Sequence, residues 1–162
     1  MFRKMRRFAQ ELTAEENAAV LQRGTHGVLA VSGDDGYPYA VPVNYYYEDG
    51  MIFIHCAVSG HKLDAVRNSE KVSFCVVDQD QVVPEKRTDY FRSVIAFGRA
   101  RVVDEPERKR QYLLKLGVKY SPEDEQGCRE EIEEAFGRVC LLEIDIEHLT
   151  GKQAKELGLR KN

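Results

Sequence analysis

The stretch YPYAVPVNYYY, residues 37–47, limits the fold more than any other part of the chain. Its odd positions, Tyr37, Tyr39, Val41, Val43, Tyr45 and Tyr47, form an unbroken large face with the period of a strand. Its even positions include Pro38 and Pro42. Backbone N–H groups alternate between the two lateral edges of a strand, so these prolines remove donors from the same edge. That edge cannot carry a full ladder. The N–H groups of Ala40 and Asn44 are left without regular strand partners. Such an edge either faces solvent, where proline blocks aggregation, or receives something else that hydrogen-bonds, such as a planar heterocycle.

Five further stretches read as strands: residues 26–32, 51–56, 71–77, 89–103 and 139–149. Asp34-Asp35-Gly36 and Glu48-Asp49-Gly50 are hairpin signals between the first three. In 139–149 the even positions Cys140, Leu142, Ile144 and Ile146 are apolar. The odd ones include Glu143, Asp145 and Glu147, which predicts one wet face. Residues 12–23 read as a helix with a Thr13/Glu16 capping box and Gly24 as its stop. Pro106 fits the first turn of a helix over 105–120, and Ser121-Pro122-Glu123 starts another to about residue 136. Six strands joined mostly by tight turns, with helices at the edges, predict an antiparallel barrel of the α+β type. We read residues 1–162 as one domain. Residues 1–11 form an N-terminal arm, and 105–137 a helical insertion before the last strand.

Composition narrows the function classes. The net charge of −3 gives no global sign of a nucleic-acid partner. No apolar run is long enough to span a membrane, and the basic start with Arg3, Lys4, Arg6 and Arg7 lacks the apolar stretch of a secretory signal. That arm reads as a solvated one. Cys56, Cys75, Cys128 and Cys140 contain no C-x-x-C pair, which argues against a zinc site or a disulfide framework. His55 and His61 lack a third ligand at metal-binding spacing, so no metal is expected. A reducing cytoplasm is the expected location.

The segment SGHKLDAVRN, residues 59–68, is a short helix that starts with two potential cations, His61 and Lys62. A helix N-terminus already carries free N–H groups and partial positive charge. Side chains pointing into water would account for the pair. A bound phosphate would also relieve the conflict, with Gly60 admitting close backbone approach and His61 and Lys62 donating charge-assisted hydrogen bonds.

Read together, "VPVNY" and "GHKLDA" make the chain resemble the pyridoxamine 5′-phosphate oxidase-like split-barrel flavoproteins, near the nitroimidazole-resistance branch. The resemblance extends from "LTAEE" through "SVIAFGRARVV" to "LEIDIEHLTGKQAKE". It implies a six-stranded antiparallel split β-barrel with flanking helices, binding FMN at a homodimer interface. The resemblance implies that the ring lies against Val41, Pro42, Val43 and Asn44. It likewise implies that the phosphate is held by Gly60, His61 and Lys62, with His55, Cys56 and Ala57 lining the approach. Ser93 is implied as a polar flavin contact acting across the dimer, and Lys152 as a C-terminal basic contact. His55 is the candidate residue beside the reacting ring, with Tyr45 or Tyr46 closing the pocket.

The function implied is reduction of a small electrophile, such as a nitroaromatic, with NAD(P)H as candidate donor. A flavin-nucleotide carrier or sensor without turnover is the alternative. A split barrel holding haem or a deazaflavin is a third reading. A vitamin B6 oxidase proper is disfavoured, because the chain has no tryptophan and ends GKQAKELGLRKN rather than in an R-x-H-x-R-like segment.

Overall fold

A computed structural model describes residues 1–158. After a 3₁₀ turn at Phe8–Gln10 come α1 (Ala14–Arg23), β1 (Gly27–Ser32), β2 (Pro38–Val43), β3 (Tyr46–Glu48), β4 (Met51–Ala57), α2 (His61–Asn68) and β5 (Lys71–Gln79). Then follow β6 (Val82–Val83), β7 (Thr88–Asp89), β8 (Arg92–Val102), α3 (Pro106–Tyr120), α4 (Glu125–Ala135), β9 (Val139–Gln153) and α5 (Lys155–Gly158). The main sheet is antiparallel, in the order β2-β1-β5-β8-β9-β4-β3, and β6 pairs with β7 in a separate hairpin.

The mostly-β barrel class holds, but the main sheet has seven strands where six are predicted. The proline-rich stretch accounts for the extra one. It breaks at Asn44-Tyr45 into β2 and β3, which lie at opposite ends of the strand order. One short segment therefore starts and finishes the curled sheet. Tyr45 causes the break. Its side chain is fully buried, edge-on to Phe74, and its hydroxyl donates to the Leu21 carbonyl at 2.8 Å. Gly24 ends α1 with an ordinary φ of −63°, and a Cβ there would collide with the Tyr45 hydroxyl. Its lack of a side chain matters for packing, not for a left-handed cap.

Other boundaries move for local reasons. The capping box forms as predicted, with Thr13 Oγ1 accepting from Glu16 N–H at 3.2 Å and Glu16 Oε2 accepting from Thr13 N–H at 3.0 Å. The second inserted helix starts at Glu125, because Asp124 rather than Ser121 accepts from Gly127 N–H. The single strand predicted over 89–103 divides into β7 and β8, since Thr88 and Asp89 pair with β6. β9 continues to Gln153, which pairs with Arg92.

Glu143 is a correction. Its place on the wet face of β9 predicts exposure, yet the residue is only 2% exposed. A second core of Phe53, Val103, Leu113 and Leu141 lies on that face, so α3 covers this part of the sheet. The Glu143 carboxylate is retained by pairing with Arg101 at 2.5 Å and Arg108 at 2.8 Å. A buried charge without such partners would cost several kcal/mol.

Candidate functional site

The register defines a gap between two unpaired strand edges. β4 pairs with β9 along its whole length, from Met51 to Ala57, but with β3 only from Met51 to Phe53. The bond from Ile146 N–H to the Gly50 carbonyl fixes the alternation. By that alternation Ile54 and Cys56 turn their backbone groups to β9, while His55 and Ala57 turn theirs to the side β3 no longer covers. β2 pairs only with β1, and Gly33 N–H donates to the Tyr37 carbonyl at 2.9 Å. The same alternation turns Tyr39, Val41 and Val43 to β1. Ala40, with Pro38 and Pro42, faces away from it. Continuing the β3–β4 register past Tyr46↔Phe53 sets Asn44 level with His55. The split is thus bordered by residues 38–44 on one side and 54–57 on the other.

Side chains sort by face. Tyr39, Val41, Val43 and Cys56 pack against the barrel core, while Pro38, Ala40, Pro42 and Asn44 are exposed. Asn44 donates from Nδ2 to the Thr25 carbonyl at 2.9 Å, which anchors the strand end. Cys56 faces Cys140 across β4 and β9. Burial, with the neighbouring Cys140, pushes its thiol up to about 11, so it is no nucleophile at neutral pH.

The start of α2 lies beside the other end of β2. The His61 ring stacks on Tyr39 at 4.2 Å between centroids, and its Nε2 is 3.7 Å from Asp34 Oδ2. The carbonyl of Gly60 accepts from Leu63 and Asp64. Gly60 has φ +126°, a conformation glycine reaches freely, and open space where a Cβ would be. It is therefore required for its backbone angles. Lys62 is half-buried, and no Asp or Glu pairs with it among the described residues.

His55 points to the opposite face of β4 from Cys56, where it lines a cavity under α3 and α4. His55 keeps an exposed surface, but partial desolvation under α3 and α4 chiefly, and then the Lys62 charge, hold its imidazole below the ordinary histidine range against an opposing pull from Glu131. Lys62 thus links the helix start electrostatically to His55.

Ser93 and Lys152 are brought together with each other, as register partners on β8 and β9. They are not brought to the split, from which β1 and β5 separate them on one side and β4 on the other. Tyr45 and Tyr46 do not close the split either. Tyr45 is in the core, and the Tyr46 hydroxyl donates to Glu48 at 3.1 Å beside α3. No local sequence signal marks Asp34, Tyr39 or Glu131 as bordering His55 or His61. Asp34 reads there only as a turn residue, and its approach to His61 is tertiary.

Residues 13–153 match the family model described as pyridoxamine 5′-phosphate oxidase. No curated protein matches the chain. Among solved structures, the conserved hypothetical protein Rv2991 from Mycobacterium tuberculosis has a TM-score of 0.82 at 22% identity, covering 96% of this chain and 93% of that one. The FAD and heme binding protein from Mycobacterium smegmatis has a TM-score of 0.78 at 20% identity, covering 90% and 73%. A candidate 5-nitroimidazole antibiotic resistance protein from Bacteroides thetaiotaomicron has a TM-score of 0.71 at 17% identity, covering 88% and 85%. At these identities the likeness is one of fold. With the family model matching most of its length, this chain belongs to the pyridoxamine 5′-phosphate oxidase family.

Proposed function

We propose that the chain is an FMN-dependent oxidoreductase that reduces a small electrophile such as a nitroaromatic. The observation that carries this reading is the split, with two unpaired backbone edges facing each other and the start of α2 at one end. A bound flavin supplies reversible two-electron chemistry. The residues present fit it. Ala40 offers an unpaired N–H and carbonyl to a planar ring edge, and Val41, Pro42, Val43 and Asn44 form its bed. Four strand residues span about 13 Å, which is the separation between a ring placed at Val43 and a phosphate placed near Tyr39 and His61. Gly60, His61 and Lys62 then hold the phosphate, as cations at a helix start do.

His55 and Ala57 border the ring from the β4 side, and the neutral His55 imidazole has one donor and one acceptor for a substrate atom. In the reaction a nitro group takes up two electrons and two protons, leaving a nitroso group and water. NAD(P)H is the proposed donor.

A homodimer completes this picture. Val77, Ile95 and Phe97 are 57%, 38% and 38% exposed on adjacent strands β5 and β8, an apolar face that calls for a partner. Ser93 and Lys152 share that side of the barrel with Ile95, so their flavin contact would be to the partner's cofactor.

The test is the visible spectrum of purified protein, followed by stopped-flow oxidation of the reduced form. Flavin absorbance, with oxidation by a nitroaromatic faster than that of free FMN, is expected. A colourless protein that refuses FMN would sink the reading. A flavin oxidised no faster than free FMN would leave the carrier or sensor alternative.

A further inference from the structure

The ladder between β1 and β2 ends at the pair Gly27↔Val43. Continued past the break at Asn44-Tyr45, its register would set Tyr45 opposite Thr25. Side chains from the end of α3 take the place of that rung. Tyr45 N–H donates to the Tyr120 hydroxyl oxygen at 3.0 Å, and the hydroxyl donates to the Thr25 carbonyl. The Lys119 ammonium donates to the Gly24 carbonyl at 2.6 Å and to the Tyr45 carbonyl at 2.9 Å. Asn44 Nδ2 donates to the same Thr25 carbonyl at 2.9 Å. Both backbone polar groups of the fully buried Tyr45 are therefore satisfied by α3 and not by a strand. Leaving either one unpaired would cost about as much as a lost hydrogen bond.

This rung lies at the ring end of the split. By the alternation that turns Tyr45 toward residues 24 and 25, Asn44 turns its own N–H and carbonyl the other way, into the gap, where it lies level with His55. A shift of Tyr45 moves Asn44 with it, because one planar peptide joins them. The other end of the split is fixed separately, by the His61 ring on Tyr39.

We infer that Tyr120, together with Lys119, is a positioning residue for the flavin ring, so that the helical insertion sets the ring end of the site. The inference rests on the flavin reading above. Tyr120 acts through the Tyr45 backbone on Asn44, and not by contact with the cofactor. Binding of the ring therefore depends on the Tyr120 hydroxyl, and binding of the phosphate does not.

The test compares Tyr120→Phe with Tyr112→Phe in the full chain. Tyr112 is on the same helix, but its hydroxyl donates to Glu48 at 3.1 Å, away from the break. Tyr120→Phe should weaken FMN and riboflavin by the same factor, at least fivefold, and Tyr112→Phe should leave both unmoved. Equal losses mark an effect on the ring, since riboflavin lacks the phosphate. In the flavin-free protein the Tyr45 amide of Tyr120→Phe should exchange with deuterium at least tenfold faster, with the Leu142 amide of β9 unchanged. If Tyr120→Phe does not melt cooperatively, Lys119→Met removes the second pair of bonds and should act in the same direction. Unaltered flavin affinities in the folded variant, a loss confined to FMN, or an equal loss in Tyr112→Phe would overturn the inference. So would a Tyr45 amide that exchanges no faster. Failure of the flavin reading is distinct: the unaltered chain would then bind neither flavin, which removes the ring role even where the Tyr45 amide responds.

Discussion

The His61 imidazole lies on the Tyr39 ring, with centroids 4.2 Å apart and planes inclined by 19°. This contact ties the start of α2 to the proline-blocked strand β2. It puts the two halves of the proposed flavin site into one rigid unit. Replacing His61 and Lys62 together by alanine removes the proposed phosphate contacts and leaves residues 41–44 of the proposed ring bed unaltered. FMN affinity should fall at least tenfold, about 1.4 kcal/mol, while riboflavin, which lacks the phosphate, should bind nearly as before. Equal losses for both ligands in a fluorescence-quenching titration would refute a phosphate role.

Asp34 faces the same imidazole at 3.7 Å, and its side chain is 87% exposed. A carboxylate there competes with a phosphate for His61 and repels it. Asp34→Asn should therefore tighten FMN binding by about two- to fivefold, a small effect because the group is solvated. Raising the salt from 0.05 M to 0.5 M should erase the difference by screening. Weaker binding by the variant would instead make Asp34 part of the cradle.

Much of this was legible in the sequence, for identifiable reasons. Pro38 and Pro42 act on their own strand, so the open edge of β2 follows from local chemistry. The capping box at Thr13 and the turn whose two residues Asp49 and Gly50 have positive φ are equally local. The break at Tyr45 was hidden, because Tyr45 continues the period-two pattern of its neighbours. Only a partner 24 residues away in sequence, the Leu21 carbonyl, turns it inward. Glu143 was hidden in the same way. Its alternation pointed to water, and the two arginines that permit burial come from β8 and α3. The approach of Asp34 to His61 and the cavity beside His55 depend on how turns and helices stack, which no short-range pattern encodes.

Ser93 pairs with Lys152 on the far side of the barrel from the split, so the flavin contact proposed for them requires a second copy of the chain. Ile95→Asp puts a charge on the exposed apolar face that also carries Val77 and Phe97. The variant should sediment as a monomer and bind FMN at least tenfold more weakly, with its melting transition still cooperative. A stable dimer, or a monomer of undiminished FMN affinity, would contradict a shared site.

Asp78 provides a pH test of the fold itself. Its carboxylate bridges Arg23 at the end of α1, at 2.6 Å, and Arg92 at the start of β8, at 3.1 Å. Burial pushes this carboxyl up, but the hydrogen bonds and charges of the two arginines outweigh it and hold the group below the ordinary aspartate range. A carboxyl depressed in the folded state binds protons more readily in the unfolded chain. Its contribution is thus fully present above about pH 4, the unfolded value, and is lost as pH falls through the folded one. Asp78→Asn should cost about 1–2 kcal/mol at pH 7, between an exposed and a buried pair, because water still reaches both arginines. In urea titrations the gap between the two proteins should narrow from pH 5 to pH 2.5, where the native carboxyl is itself protonated. A gap that stays constant over that range would mean that Asp78 acts through shape and hydrogen bonding, not through its charge.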